Sequence, residues 1–138
     1  MRYFLLTMML ALGLGASVLV PRAQADEAAI KGVISAQIEA FKADDFEAAF
    51  AFASPKIKGI FGDADNFGLM VRQGYPMVWR PSSVTFGENK AYGGTVWQNV
   101  LVRDAAGKLF LFQYEMIKAG DSWQIDSVSP LKTPELSA

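Results

Sequence analysis

Three polar side chains, Gln98, Tyr114 and Ser127, are predicted to form a row on an otherwise apolar face of a β-sheet. An amide, a phenol and a hydroxyl can orient a small molecule through hydrogen bonds, while apolar neighbours supply the burial that binds it. The alternative is that the three side chains satisfy one another's hydrogen bonds inside an ordinary core. The sequence leaves both interpretations open.

A second candidate site lies in the aromatic stretch from Tyr75 to Trp79, which follows Arg72. The two aromatic rings and the guanidinium groups of the flanking residues Arg72 and Arg80 would line the mouth of a cavity and take an anion. The competing interpretation is a structural connection between a helix and a strand. Pro76 and Pro81 favour such a connection, and arginine also stacks on tryptophan in ordinary surface contacts.

Acid–base chemistry would depend on carboxylates, and Glu115 and Asp126 are predicted to be cross-strand neighbours on the opposite sheet face. Two close carboxylates raise one another's pKa, but the polar neighbours on this face favour a solvated surface instead. The sequence contains no histidine and no cysteine. This excludes catalytic triads, His- or Cys-ligated zinc sites and thiol redox centres, and we expect neither a metal nor a cofactor.

Two hairpin turns position the polar row. The segment Asp104–Lys108 fits a type I turn with Gly107 in the left-handed conformation, which places Gln98 opposite Tyr114. The other pairs on that face are apolar or aromatic, so we expect this face to be the core side of the sheet. They are Val102 with Phe110, Val100 with Phe112, and Val96 with Met116.

The second turn is predicted at Gly120-Asp121, where glycine suits the first position of a two-residue turn. It pairs Met116 with Ile125 and Tyr114 with Ser127. Both hairpins therefore agree on which sheet face is buried.

Periodicity and capping residues predict four helices before the strands. They cover about 27–43, a short helix capped by Asp44 to Glu47, a short helix from Ser54-Pro55 to Gly62, and 64–73. From Pro76 the pattern alternates as in strands, and Gly87 is expected to mark a β-bulge in the strand from Val84 to Tyr92. Helices followed by an antiparallel meander predict an α+β fold with the helices packed on one sheet face.

The N-terminal segment 1–25 has the features of a Sec-type signal peptide. Arg2 precedes an apolar run, and Ala23-Gln24-Ala25 forms an A-x-A cleavage site. We expect cleavage between Ala25 and Asp26, a single domain over 26–138, a periplasmic or secreted location, and no membrane contact after cleavage. Of the 13 basic residues, Arg2 and Arg22 belong to the removed segment, so the domain is mildly acidic; this excludes nucleic acid as a partner.

Several segments together resemble the family known as domain of unknown function 4864, over about residues 28–131. The segments that carry the resemblance are Ala36–Phe41, Phe50–Pro55, Met70–Pro76 and Trp79–Pro81. In addition, Gly120–Val128 resembles the closing strand of nuclear-transport-factor-two-like domains. The resemblance implies a cone-shaped, curled antiparallel sheet closed by helices. Domains of this superfamily hold either a pocket with an enzyme site or a purely binding and dimerising surface, and the resemblance implies no particular activity.

Three functions of different classes are consistent with these observations. The first is a non-enzymatic domain whose cavity takes a small apolar or amphipathic ligand. The second is a homodimerising interaction domain that uses the apolar residues Trp97, Leu101, Leu111 and Ile117 on the outer sheet face. The third is a proton-transfer enzyme of the ketosteroid-isomerase type with Tyr114 as oxyanion donor. The third is disfavoured because no Asp or Glu falls on the predicted core face of the last three strands.

Overall fold

The computed structural model describes residues 22–132, where five helices precede four strands. Residues 1–21 of the expected signal peptide lie outside the described residues. The helices are α1 (Arg22–Lys42), α2 (Phe46–Ala51), α3 (Pro55–Phe61), α4 (Ala64–Gly74) and α5 (Pro76–Trp79). The strands are β1 (Ser83–Tyr92), β2 (Thr95–Arg103), β3 (Leu109–Ala119) and β4 (Ser122–Leu131).

Helix α1 carries the predicted apolar stripe but begins at Arg22 rather than near residue 27. The first turns are rich in alanine and hold an ion pair between Lys31 and Glu27 (3.0 Å), and both features favour helix. The buried residues start only at Ile30, so periodicity could not detect these turns. The expected cleavage site between Ala25 and Asp26 lies within α1.

The chain reverses between α1 and α2 at Asp44, which has a φ of 56°. The predicted cap at Asp44 was therefore wrong by one residue, because a residue in the left-handed region cannot take the extended conformation of a typical cap. Asp45 caps α2 instead, and its carboxylate accepts a hydrogen bond from the Ala48 backbone N–H (3.1 Å). Asp44 is thereby left free to contact another element.

Helix α3 begins and ends as predicted, whereas α4 begins at the predicted residue and ends at Gly74, one residue later than predicted. Ser54 caps α3 by accepting from the Ile57 backbone N–H (3.3 Å), and Gly62, at a φ of 81°, ends the helix. Helix α4 follows, with Phe67 and Val71 buried. The expectation of strand pattern from Pro76 onward was wrong, because Pro76 instead starts the one-turn helix α5, a position where proline is well tolerated.

The four strands form one antiparallel, curled sheet in the order β1-β2-β3-β4. The register predicted for β2 and β3 is confirmed, including Gln98 opposite Tyr114. The predicted bulge in β1 is confirmed as well, since the register shifts between Phe86 and Asn89, on either side of Gly87.

The β3–β4 ladder follows the prediction only as far as Met116 opposite Ile125. A register shift then places Ser127 opposite Glu115, and Tyr114 opposite Val128. The expected pairing of Tyr114 with Ser127 was therefore wrong, and Asp126 is the extra residue of a bulge rather than the neighbour of Glu115. On its other side Ile125 pairs with the Phe52–Ser54 segment through two backbone hydrogen bonds of 2.9 and 2.8 Å.

The helices pack on the sheet face that carries Val100, Phe112 and Tyr114. This confirms the predicted α+β architecture and the predicted core face. The core combines the α1 stripe, residues from α2, α4 and α5, and the inward positions of all four strands. Its largest fully buried side chains are Tyr114, Phe41, Phe112, Ile30, Ile34 and Met116.

Candidate functional site

A cavity of about 220 Å³ lies between the helices and the core face of the sheet. Aliphatic and aromatic side chains dominate its wall, and four of the lining residues, Gln37, Tyr75, Tyr114 and Ser127, carry a polar group. Residues from α1, α3, α4, α5, β3 and β4 all contribute. The lining residues are Gln37, Phe41, Ala53, Ile57, Phe61, Phe67, Met70, Val71, Tyr75, Val78, Tyr114, Ile125, Ser127 and Val128.

Tyr114 is a fully buried lining residue of this cavity. Its hydroxyl has no hydrogen-bond partner within residues 22–132. Burial raises the pKa of Tyr114 well above its ordinary value, because the charged phenolate would lose its hydration. The hydroxyl therefore stays protonated at all physiological pH values and keeps its capacity to donate a hydrogen bond.

Gln98 lies beside Tyr114 in the ladder but is not among the lining residues of the cavity. Its amide oxygen accepts a hydrogen bond from the Asn89 side chain (2.7 Å). Its amide nitrogen donates to the carbonyl oxygens of Asn99 (2.9 Å) and Gly87 (3.2 Å). The bulge in β1 thus satisfies Gln98, which explains how this amide can be fully buried.

Ser127 lines the cavity, but the bulge gives its hydroxyl a different partner from the predicted one. The hydroxyl donates to Oε2 of Glu115 (2.8 Å), directly opposite on β3. The predicted row of three polar groups is therefore interrupted at β4, and neither Gln98 nor Ser127 bonds to the Tyr114 hydroxyl.

Only Tyr75 of the second candidate site reaches the cavity, where it packs on Phe112 with ring centroids 6.0 Å apart. Arg72 is exposed and lies over the ring of Phe46, 5.2 Å from its centroid. Trp79 is half-buried and donates from its indole N–H to Asp44 (2.9 Å). Arg72 and Trp79 therefore make the structural contacts of the alternative interpretation.

The contact of Trp79 belongs to a small clamp that joins α5 to the reversal after α1. Arg80 donates to both carboxylate oxygens of Asp44 at 3.0 Å. It also stacks on the Trp79 ring, 4.7 Å from the centroid. These contacts connect α5 to the reversal at Asp44, where φ is positive.

Gln37 is a lining residue that the sequence analysis did not single out. It is buried on the apolar stripe of α1, and its amide nitrogen donates to the carbonyl oxygen of Ala49 (3.1 Å). A glutamine in a buried stripe was the available signal, because such an amide requires a partner or a polar function.

A hydrogen-bonded group at the β4 bulge holds the α3 side of the cavity. The Ser54 hydroxyl donates to Oδ1 of Asp126 (2.7 Å), and the Lys56 ammonium group donates to Oδ2 (3.0 Å). Burial opposes ionisation of Asp126, but these two donors outweigh it and lower the pKa of Asp126 below its usual value. We call Ser54, Lys56 and Asp126 the bulge clasp.

The side chains of the cavity wall carry no formal charge. Its four polar residues offer amide and hydroxyl groups only. Within residues 22–132 no cluster of three or more Asp, Glu, His or Cys side chains is suited to hold a metal ion. In the same range no helix is both long enough and apolar enough to cross a membrane.

Comparisons with solved structures show the same fold at low sequence identity. An NTF2-like protein of unknown function from Shewanella baltica is 18% identical, with a TM-score of 0.57, over 84% of this chain and 99% of that one. One from Shewanella oneidensis is 16% identical, with a TM-score of 0.54, over 76% and 98%. A SEC-C motif containing protein from Rhodopseudomonas palustris is 13% identical, with a TM-score of 0.57, over 76% and 80%.

Sequence comparisons identify the family but point to no activity. No protein of curated function matches the sequence significantly. The family model described as domain of unknown function (DUF4864) matches residues 23–138. The chain therefore belongs to the DUF4864 family and has the nuclear-transport-factor-two-like fold.

Proposed function

We propose that this domain binds a small apolar or amphipathic ligand in its cavity and is not an enzyme. The observation that carries the proposal is the mostly apolar cavity of about 220 Å³ between the helices and the core face of the sheet. A mostly apolar cavity with a few polar groups is the composition of small-molecule pockets.

The alternative of a proton-transfer enzyme has less support, because such an enzyme needs a base beside its oxyanion donor. No Asp or Glu belongs to the set of described residues that line the cavity. The nearby carboxylates have other partners: Glu115 accepts from Ser127, and Asp126 accepts from Ser54 and Lys56. Tyr114 alone would supply only half of the required pair.

Native mass spectrometry of gently purified protein tests the proposal. A bound molecule appears as a mass excess that disappears after denaturation. Met70→Trp adds a large ring to the cavity wall and should abolish the excess. The matched control is Leu69→Trp, which places the same ring at a 46% exposed position of the same helix. A folded wild-type protein without copurified molecule and without binding of added apolar probes would contradict the proposal.

We further propose export, with removal of residues 1–25 and a periplasmic or secreted mature form. The apolar N-terminal run and the A-x-A site support this proposal. Intact mass of the exported species should correspond to a chain that starts at Asp26. Ala25→Leu, which removes the small residue before the cleavage site, should leave the precursor uncleaved. A membrane-bound wild-type species that retains Met1 would contradict cleavage.

A second candidate function is homodimerisation through the outer sheet face. Leu101, Leu111 and Leu131 lie directly opposite one another on three adjacent strands, and Leu131 is 37% exposed. The predicted patch is not continuous, because the polar residues Asn99 and Gln113 form the neighbouring row. Trp97 and Ile117 lie beyond that row.

This second candidate is tested by light scattering at high protein concentration. Leu111→Glu should convert a dimer into a monomer, because it places a charge in the centre of the apolar row. Gln113→Glu is the matched control, since it adds the same charge two residues away on the same strand and face. A monomeric wild-type protein would exclude the dimer.

A further inference from the structure

Strand β1 is an edge of the sheet, and within residues 22–132 it pairs only with β2. An unpaired strand edge presents a row of backbone N–H and C=O groups that can pair with another chain. Native proteins usually prevent such pairing with charged side chains, a proline or a β-bulge on the edge. The two halves of β1 differ in these protective features.

The second half of β1 is protected against pairing. The register shifts around Gly87, and the exposed residues Glu88 and Lys90 beyond it form an ion pair (3.4 Å). The first half, Ser83–Phe86, has neither a charged residue nor a bulge. Pro81, which has no N–H, limits pairing at its other end. The unprotected segment is therefore short, about 13 Å for a strand of this length.

A groove of about 160 Å³ lies along this segment, between β1 and α1. Val84 and Phe86 pack towards the core but stay half-buried, whereas Val102 and Val100, opposite them on β2, are fully buried. A further strand beside β1 would therefore cover apolar surface that the described chain leaves open. The lining residues are Ser35, Ile38, Glu39, Lys42, Pro81, Ser83, Val84 and Phe86, and none of them lines the ligand cavity.

The charged side chains at the groove are paired with one another. Glu39 and Lys42 form an ion pair (3.1 Å). Lys31, which lies over the ring of Phe86 (5.9 Å from its centroid), is paired with Glu27 (3.0 Å). A charged side chain in the groove would lose hydration without gaining a free countercharge. An apolar cavity of about 150 Å³ accommodates benzene, so the groove has room for one apolar side chain.

The length of the unprotected segment decides between two occupants of this edge. A second copy could pair its own β1 with this one, but a stable interface takes about 20–30 residues from each side. The bulge at Gly87 and the charges of Glu88 and Lys90 interrupt such a pairing directly after Phe86. An extended peptide needs only a few backbone hydrogen bonds and a pocket for alternate side chains. The peptide is therefore the better fit.

We propose that this edge binds an extended, uncharged segment of another protein as a fifth strand, with one apolar side chain of that segment in the groove between α1 and β1. Backbone hydrogen bonds to Ser83–Phe86 supply the affinity, and the groove selects the apolar side chain. This site is separate from the ligand cavity and does not depend on what the cavity binds.

A library of short random peptides displayed on phage tests the proposal by selection on the purified protein. The dissociation constant of an enriched peptide is measured by protein NMR titration, and the shifted amide signals should include Ser83–Phe86. Ser35→Trp fills the groove from an exposed position of α1 and should weaken binding about tenfold or more. Ala36→Trp is the matched control, because Ala36 is also exposed on α1 but does not line the groove; it should leave binding unchanged.

N-Methylation of single residues in the enriched peptide separates strand addition from other contacts. Residues of an antiparallel strand alternate between hydrogen-bonded and non-hydrogen-bonded positions. N-Methyl groups at every second residue should therefore weaken binding about fivefold to tenfold, the effect of one hydrogen bond, and those in between should have little effect.

The proposal is overturned if no peptide is enriched, if the N-methyl effects do not alternate, or if Ser35→Trp binds as tightly as wild type. It is also overturned if the amide signals of Ser83–Phe86 shift on dilution of the peptide-free protein, because a second copy then occupies the edge. The same shifts after removal of residues 133–138 assign the edge to the chain's own C-terminal residues and overturn it as well.

Discussion

Replacement of Tyr114 by phenylalanine is a direct energetic test of the site, because it removes one buried oxygen atom and leaves the ring. Tyr114 is fully buried and its hydroxyl is unpartnered within the described chain. Burial of a hydroxyl without a hydrogen bond costs about 1–3 kcal/mol. No partner is stranded when it is removed, so the free energy of unfolding should stay the same or increase by up to about 2 kcal/mol.

Gln98→Leu provides the opposite case at an equally buried position. The amide of Gln98 has hydrogen bonds to Asn89, Gly87 and Asn99. Its loss strands several of these groups, each of which costs about 1–3 kcal/mol when left unsatisfied and buried. We therefore expect Gln98→Leu to lower the free energy of unfolding by at least about 2 kcal/mol, in contrast to Tyr114→Phe.

Both variants are compared with wild type by urea unfolding, followed by circular dichroism. The measurement requires ligand-free protein, checked by native mass spectrometry, because a ligand that binds only the folded state adds to the free energy of unfolding. The reasoning is refuted if ligand-free Tyr114→Phe loses more than about 1 kcal/mol, since a loss of that size indicates a native hydrogen bond to the hydroxyl.

Two further predictions concern packing and pH. Gly68→Ala should lower the free energy of unfolding by about 1–3 kcal/mol, because the new Cβ would lie 2.6 Å from ring atoms of Phe46, which starts α2. The control is Gly32→Ala, where a Cβ would meet no atom within 4 Å, and this change should stabilise α1 by about 0.5–1 kcal/mol. Equal effects of the two changes in urea unfolding would contradict the packing argument. The contacts of Asp126 with Ser54 and Lys56 lower the pKa of Asp126 in the folded state. Their contribution to stability is therefore fully present above the ordinary aspartate pKa of about 4. It is lost as the pH falls through the lowered pKa of the folded state. Asp126→Asn should therefore reduce the loss of stability below about pH 4 in urea unfolding at a series of pH values, whereas parallel wild-type and variant curves would contradict this.

The sequence predicted those parts of the fold that local chemistry determines. The turn from Asp104 to Lys108, with Gly107 at a φ of 86°, fixed the register of β2 and β3 along their whole length. The one-turn helix α5 escaped prediction because four residues are too few to show a helical period. The bulge at Asp126 escaped it because its partners, Ser54 and Lys56, are distant in sequence.

The site was less predictable than the sheet, for a related reason. Strand alternation identified Tyr114 as an inward polar residue, but it gave no information on which helix residues face the sheet across the cavity. Ile57 and Phe61 face the cavity from α3, and the relative placement of α3 and the sheet has no local sequence signal. The sequence left two interpretations of Gln98 open, because the alternation that directs this amide inward cannot show that Asn89 satisfies it.

The β4 bulge connects the predicted sheet with the unpredicted side of the cavity. Without the extra residue, regular alternation would direct Asp126 to the outer face beside Glu115, and the carboxylate would not have the same access to Ser54. With the bulge, Asp126 accepts from Ser54, which also accepts from the first turn of α3. Helix α3 has no fully buried residue of its own, so apolar burial contributes less to its position than it does for α1 or α4. The bulge clasp and the backbone pairing of Phe52–Ser54 with Ile125 therefore add to the packing of Phe61 on α4 in holding α3 at the cavity wall.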